Sequence, residues 1–198
     1  MLKIYIARHG QDEDNKEGIL NGRRDNSLTE KGVKQAEAVG QKIADAEIKF
    51  DKIYCSPLKR ASETAGIISG IIGGSDPVVM EHLIEREFGV MTGKKHSDIV
   101  SMCSPNILQS FKTTYFLEPE GAETFPQLLE RAKMIIAKLQ EENETGNVLV
   151  VTHGDIGKMI YADFYGLGWK EALEKFDFAN AELLLLSEES SVDDVHVF

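Results

Sequence analysis

The chain has 198 residues, is 42% apolar and 28% charged, and carries a formal net charge of −11. That length and mix suit one soluble domain with a sizeable core, and the acid excess excludes a nucleic-acid or anionic-membrane partner, either of which needs a basic face. Cys55 and Cys103 lack CxxC spacing, so neither a disulfide framework nor a zinc site is expected. A strand reads from the very start, no apolar stretch nears the roughly 20 residues of a membrane span, and the expected location is the cytoplasm.

Leu2 to Ala7 reads as a central strand that ends on Arg8, His9 and Gly10. A polar loop follows, then a helix over Leu28 to Asp45, with Thr29 as N-cap and Val33, Ala36, Val39, Gly40 and Ile43 on one face. Lys52 to Cys55 is a short strand. The next helix has Pro57 in its first turn, an apolar stripe of Leu58, Ala61, Ala65, Ile68 and Ile72, and a stop at Gly73-Gly74. Pro77 to Met80 is another brief strand. Residues 81 to 122 are irregular, with the aromatics Phe111, Tyr115 and Phe116, and read as an insertion over a site. From Glu123 an amphipathic helix carries Phe125, Leu128, Leu129, Ala132, Ile135, Ile136 and Leu139 on one stripe. A strand at 147–152 stops at His153-Gly154, and a helix at 155–165, a short helix near 170–176 and a strand at 181–187 complete the chain. This alternation predicts an α/β fold, a three-layer α/β/α sandwich with a mostly parallel central sheet, in a single domain over 1–198.

Two strands that each end on a histidine and a glycine place both imidazoles at the carboxyl edge of the sheet, where open α/β sheets bind ligands. Phosphoryl transfer needs a nucleophile, fixed positive charge on the equatorial oxygens and an acid for the leaving group. His9 or His153 can attack as a neutral imidazole. Arg8, and Arg60 just past another strand end, offer planar donor forks. Glu85 follows a further strand and loop, and facing a dianion its carboxyl would hold its proton. Taken singly, each of these residues has an ordinary structural or surface reading; their concurrence at predicted sheet edges carries the argument. The acidic run Asp12-Glu13-Asp14 reads as a solvated loop, and no metal is expected. Cys55 and Arg60 have four residues between them where a cysteine phosphatase loop has five, and Gly154 to Lys158 is too short for a P-loop.

The ordered set Arg8-His9-Gly10, Asn15, Leu28-Thr29, Gly32, Gln35-Ala36, Ser56-Pro57, Arg60-Ala61, Thr64-Ala65, Glu85, Phe88-Gly89, Gly121 to Thr124, Arg131 and His153-Gly154 resembles the histidine phosphatase superfamily, the phosphoglycerate-mutase-like enzymes. The resemblance implies the phosphoglycerate-mutase-like fold, with His9 as the nucleophile that becomes phosphorylated. Arg8, Arg60 and His153 would then cradle the phosphoryl group, Glu85 would donate the proton, and Asn15 and Gly154 would meet substrate. No cofactor is implied. Two positions depart from the family pattern: Asp12 stands where a threonine is usual, and Asn21-Gly22 where glutamine-glycine is familiar.

The expected partner is a small phosphorylated metabolite, and the sequence leaves oligomeric state open. A metal-independent phosphomonoester hydrolase is the favoured reading, with a 2,3-bisphosphoglycerate-dependent phosphoglycerate mutase as the alternative. Between Arg86 and Arg131 there is no arginine, so a substrate with a second acid would meet only Lys94, Lys95 and Lys112. A non-catalytic binding scaffold is a third reading, but such a chain would be expected to have lost a catalytic group, and none is missing.

Overall fold

The computed structural model describes residues 1–110, 113–193 and 195–197; the predicted contributions of Phe111 and Lys112 lie outside them. Five strands form the main sheet in the order β3-β2-β6-β1-β7, where β1 is Leu2–Arg8, β2 Lys52–Cys55, β3 Val78–Val79, β6 Gly146–Thr152 and β7 Leu183–Leu186. Pairing is parallel except for β7, which runs antiparallel to β1. Helices α2 (Glu30–Asp45) and α3 (Lys59–Ile72) cover one face, and α5 (Phe125–Glu142) and α6 (Gly154–Phe164) cover the other.

Side chains alternate across a strand, so β1 feeds both cores: Ile4 and Ile6 pack with α5 and α6, and Tyr5 and Ala7 with α2 and α3. Both faces being buried explains the unbroken apolar runs of β1 and β6. Thr29 caps α2 by accepting from the Gly32 amide at 3.0 Å, and Gly73 ends α3 at φ +64°. Pro57 precedes the first turn of α3, because Leu58 takes the cap position.

The loop after β1 contains a helix the composition does not announce, α1 (Glu13–Glu17), nucleated by Asp12 as its cap. The 81–122 stretch is built from short pieces: three single-turn 3-10 helices, α4 (Ile99–Cys103), and an antiparallel ribbon of β4 (Ile107–Gln109) with β5 (Thr114–Phe116). A small core of Leu20, Phe88, Met91, Ile99 and Phe116 holds these pieces together. Helix α7 (Trp169–Lys175) packs beside α6. Among the described residues, no helix is long and apolar enough to cross a membrane.

Candidate active site

Parallel pairing of β1 with β6 sets Arg8 opposite Thr152, so the next residue of each strand, His9 and His153, emerges from the same sheet edge. Their rings stand 5.0 Å apart between centroids. Both are buried, at 2% and 0% exposure, and burial, with Arg60 next in effect, holds both imidazoles well below their ordinary pKa. Each is therefore neutral near pH 7.

The local chain fixes the tautomer of His9. Its Nδ1 lies 2.7 Å from the Gly10 carbonyl, an acceptor, so Nδ1 carries the hydrogen and Nε2 keeps its lone pair. The Arg60 Nε–H donates to that Nε2 at 3.1 Å. The loop carrying His9 is pinned by close backbone contact with α2: a Cβ on Gly10 would sit 2.4 Å from the Gly32 carbonyl oxygen, and one on Gly32 would sit 2.1 Å from that of Gln11. Thr64 accepts from the Gly10 amide at 3.1 Å, and Gln35 from the Gln11 amide at 2.9 Å.

Arg60 does not present its fork openly, as the sequence reading expects. Its Nη1 and Nη2 donate to the carbonyls of Arg24 (2.6 Å) and Gly22 (2.8 Å), and it meets His9 side-on through Nε. Asp12, fully buried, pairs with the same Nε at 3.3 Å, accepts from Asn21 at 2.7 Å and caps α1 through the Asn15 amide at 2.8 Å. It is not the solvated carboxylate that the acidic run predicts. Asp14 is likewise buried and pairs with Arg24 at 3.1 Å; of the three acids, Glu13 alone is exposed, beside Lys16.

Arg8 donates through Nη1 to the Phe178 carbonyl, while its Nε is buried without a hydrogen-bond partner. His153 meets the Ser56 hydroxyl at 2.7 Å through Nε2 and leaves Nδ1 buried and unpartnered. A Cβ at Gly154 would rest against the Arg8 guanidinium at 3.6 Å, so Gly154 keeps that flank thin.

Glu85 enters from the loop before Arg86 and reaches the first turn of α6. Its carboxylate accepts from the amides of Arg86 (2.8 Å), Ile156 (3.2 Å) and Asp155 (3.3 Å). Burial and the adjacent Asp155 charge nevertheless push its pKa up, against those amides and Arg60. Arg23 and Arg131 hold its backbone carbonyl at 3.1 and 3.4 Å.

Beside these groups lies a cavity of about 380 Å³. Arg8, Asn15, Glu85 and Gly154 line it; His9, Arg60 and His153 are not among the residues that do. The structure thus gathers all seven sequence-predicted residues at one edge, four of them in the lining of the cavity. It also adds residues that motif reading missed. Asn180 donates to the His9 carbonyl at 3.0 Å and to the Asn15 side chain at 2.9 Å, tying the loop before β7 to the site. Lys158, one helical turn beyond Gly154, and Arg86, next to Glu85, line the cavity as buried cations. A charge on an otherwise apolar helix face was the available signal for Lys158; none marked Asn180. Among the described residues, no group of three or more histidine, cysteine, aspartate or glutamate side chains is arranged to hold a metal ion.

A family model of the histidine phosphatase superfamily (branch 1) matches residues 4–196. A 2,3-bisphosphoglycerate-dependent phosphoglycerate mutase of Parvibaculum lavamentivorans is 31% identical over 156 residues, 77% of this chain and 74% of its own. The solved product of an open reading frame from Mycobacterium tuberculosis shares the fold with a TM-score of 0.80 at 23% identity, over 98% of this chain and 93% of that one. A phosphoserine phosphatase from Entamoeba histolytica, solved with 3-phosphoglyceric acid, matches with a TM-score of 0.74 at 25% identity, over 93% and 90%. Mutase and phosphatase are both represented among these relatives.

Proposed function

Because the chain belongs to branch 1 of the histidine phosphatase superfamily, we propose that it hydrolyses phosphomonoesters through a phosphohistidine on His9. The supporting observation is the state of that imidazole: neutral, oriented by the Gly10 carbonyl, with the Nε2 lone pair turned toward Arg60. A neutral imidazole needs no prior deprotonation to attack.

In the first step the Nε2 lone pair, released by the Arg60 Nε–H, forms a bond to phosphorus as the ester P–O bond breaks. The Glu85 carboxyl, whose hold on a proton burial strengthens, gives that proton to the leaving alkoxide. In the second step a water oxygen attacks phosphorus and the N–P bond breaks, with Glu85 taking the water's proton. Arg8 and His153 hold the equatorial oxygens, joined by the Arg60 Nε–H once it leaves the His9 Nε2. The unpartnered Arg8 Nε–H is a donor an anion would satisfy, and His153 Nδ1 is another in the tautomer where Ser56 donates to Nε2; leaving such groups unmet costs about 1–3 kcal/mol each. These fixed donors supply charge stabilisation that a divalent ion provides elsewhere, so we propose no metal requirement.

The mutase reading has the support of the 31% identical Parvibaculum relative. Hydrolysis is favoured because a mutase must hold a multiply charged intermediate, which asks for a strongly cationic cover. Lys94 and Lys95 are exposed and do not line the cavity, and of the cations that do, Arg86 is paired with Asp155 and Lys158 donates to Tyr115, Leu173 and Phe176. The test is phosphate release from a phosphomonoester in excess chelator, without bisphosphoglycerate priming, beside an assay of 2- and 3-phosphoglycerate interconversion. Steady unprimed release with negligible interconversion is expected. Fast, priming-dependent interconversion with little free phosphate would establish the mutase instead.

A further inference from the structure

Resting on the hydrolase reading, we infer that the substrate is the phosphate monoester of an uncharged, apolar alcohol of about one ring's size, bound with its organic group in the cavity beside Glu85. Leu20, Phe88, Ile99, Tyr115, Phe116 and Phe178 present apolar surface to a space of about 380 Å³, within the roughly 300–1,000 Å³ range of small-molecule sites. In the proposed reaction Arg8 meets the phosphoryl group and Glu85 the leaving oxygen, and both line this space, so the alcohol's carbon skeleton would extend along these side chains.

The cavity's cations decide against a second acid on that skeleton. An ammonium has three donors, and the Lys158 Nζ spends its three on the Tyr115 hydroxyl (2.9 Å) and the carbonyls of Leu173 (3.0 Å) and Phe176. Burial pushes its pKa down to about 8, which weakens it further as a fixed charge. Arg86 donates to Asp155 at 2.7 Å and to the Glu123 carbonyl at 3.2 Å, and lies against the rings of Phe116 and Phe125 at 4.3 Å. Its charge is neutralised within the wall. With Lys158 and Arg86 so engaged, and Arg8 assigned to the phosphoryl group, no further lysine or arginine of the described lining is aimed at a carboxylate entering here.

The experiment compares kcat/KM of the intact protein for benzyl phosphate, ethyl phosphate and 3-phosphoglycerate. All three leave as alkoxides of similar basicity, so differences report the fit of the organic group rather than leaving-group chemistry. Benzyl phosphate should exceed ethyl phosphate by about tenfold and 3-phosphoglycerate by about thirtyfold, the second ratio equivalent to about 2 kcal/mol at 1.4 kcal/mol per decade. Thr114, half-buried at the cavity's edge, provides the second arm. The substitution Thr114→Arg adds a cation to the lining and should raise the 3-phosphoglycerate to benzyl phosphate ratio at least about fivefold. Equal rates on the three esters, a preference for 3-phosphoglycerate, or an unchanged ratio in T114R would overturn the inference while leaving hydrolysis intact. Absence of phosphate release from every ester would overturn the hydrolase reading, and this inference with it.

Discussion

Two imidazoles buried beside Arg60 and Arg8 resist protonation at a pH where histidine in an unfolded chain accepts it. The unfolded groups titrate near 6.5, and the native ones well below. Above that value both states are neutral and the pair contributes nothing to pH dependence. As pH falls through it, the unfolded chain binds protons that the native state cannot, so stability declines. Glu85 acts in the opposite sense: its raised native pKa adds stability as pH falls from that value toward the ordinary carboxylate range. One carboxyl cannot cancel two histidines, and a net loss of about 2 kcal/mol between pH 7 and 5 is expected. For a chain of this size the melting temperature should drop by about 4–8 °C. His153→Gln should remove a large part of that drop. A melting temperature flat across the range would mean that the native histidines protonate freely.

At the same scale, His9, His153 and Arg8 were legible because strand-end position is written in the local hydrophobic pattern. Asp12 was not. Its neighbours Glu13 and Asp14 made the run look solvated, and only the approach of α3 to the loop after β1 brings Arg60 against it. Asn180 was hidden for a related reason. Its partners are more than 160 residues away, and no local period encodes a hydrogen bond over that distance.

Helices α2, α3 and α5 were readable from their apolar stripes, and two of their ends from Thr29 and Gly73, whereas the Thr124 cap of α5 emerges only in the structure. The pieces between Glu81 and Ala122 were not, because elements of three to five residues are too short to show a period and are held by tertiary contact. The contact between α2 and the loop after β1 explains why glycine stands at two positions of the family signature. Gly32→Ala places a methyl carbon 2.1 Å from the Gln11 carbonyl oxygen, a backbone atom that cannot rotate away. Separation of α2 from the His9 loop should cost about 3 kcal/mol, lowering the melting temperature by about 6–12 °C. Activity should fall at least tenfold in protein that remains folded, since a displacement of about 1 Å at the nucleophile can cost more than that. A G32A protein with unchanged melting and turnover would show that this close contact does not position His9.

Across the whole molecule, the strand order β3-β2-β6-β1-β7 converts sequence distance into adjacency. His9 and His153 are 144 residues apart (153 − 9) and become neighbours because β6 inserts between β1 and β2. Arg60 follows β2 on the far side of β6, and Glu85 reaches the first turn of the helix that β6 feeds. The alternation of elements implied such a sheet, but only the observed pairing shows that these particular ends converge. The acid excess of the chain is consistent with the site described, whose arginines are local and largely screened from solvent.

The most direct measurement is trapping of the proposed covalent intermediate. The protein is mixed with benzyl phosphate labelled in its phosphoryl group, quenched in alkali within milliseconds to seconds, and mapped by mass spectrometry after digestion. A phosphoramidate survives base and is lost in acid, so the label should sit on Nε2 of His9, vanish on acidification and be absent from His9→Ala. Glu85→Gln should slow its formation at least a hundredfold without moving it, within the usual range for loss of a general acid. Label on another residue, label that persists in His9→Ala, or steady phosphate release with no trapped intermediate under single-turnover conditions would contradict the assignment of His9 as nucleophile.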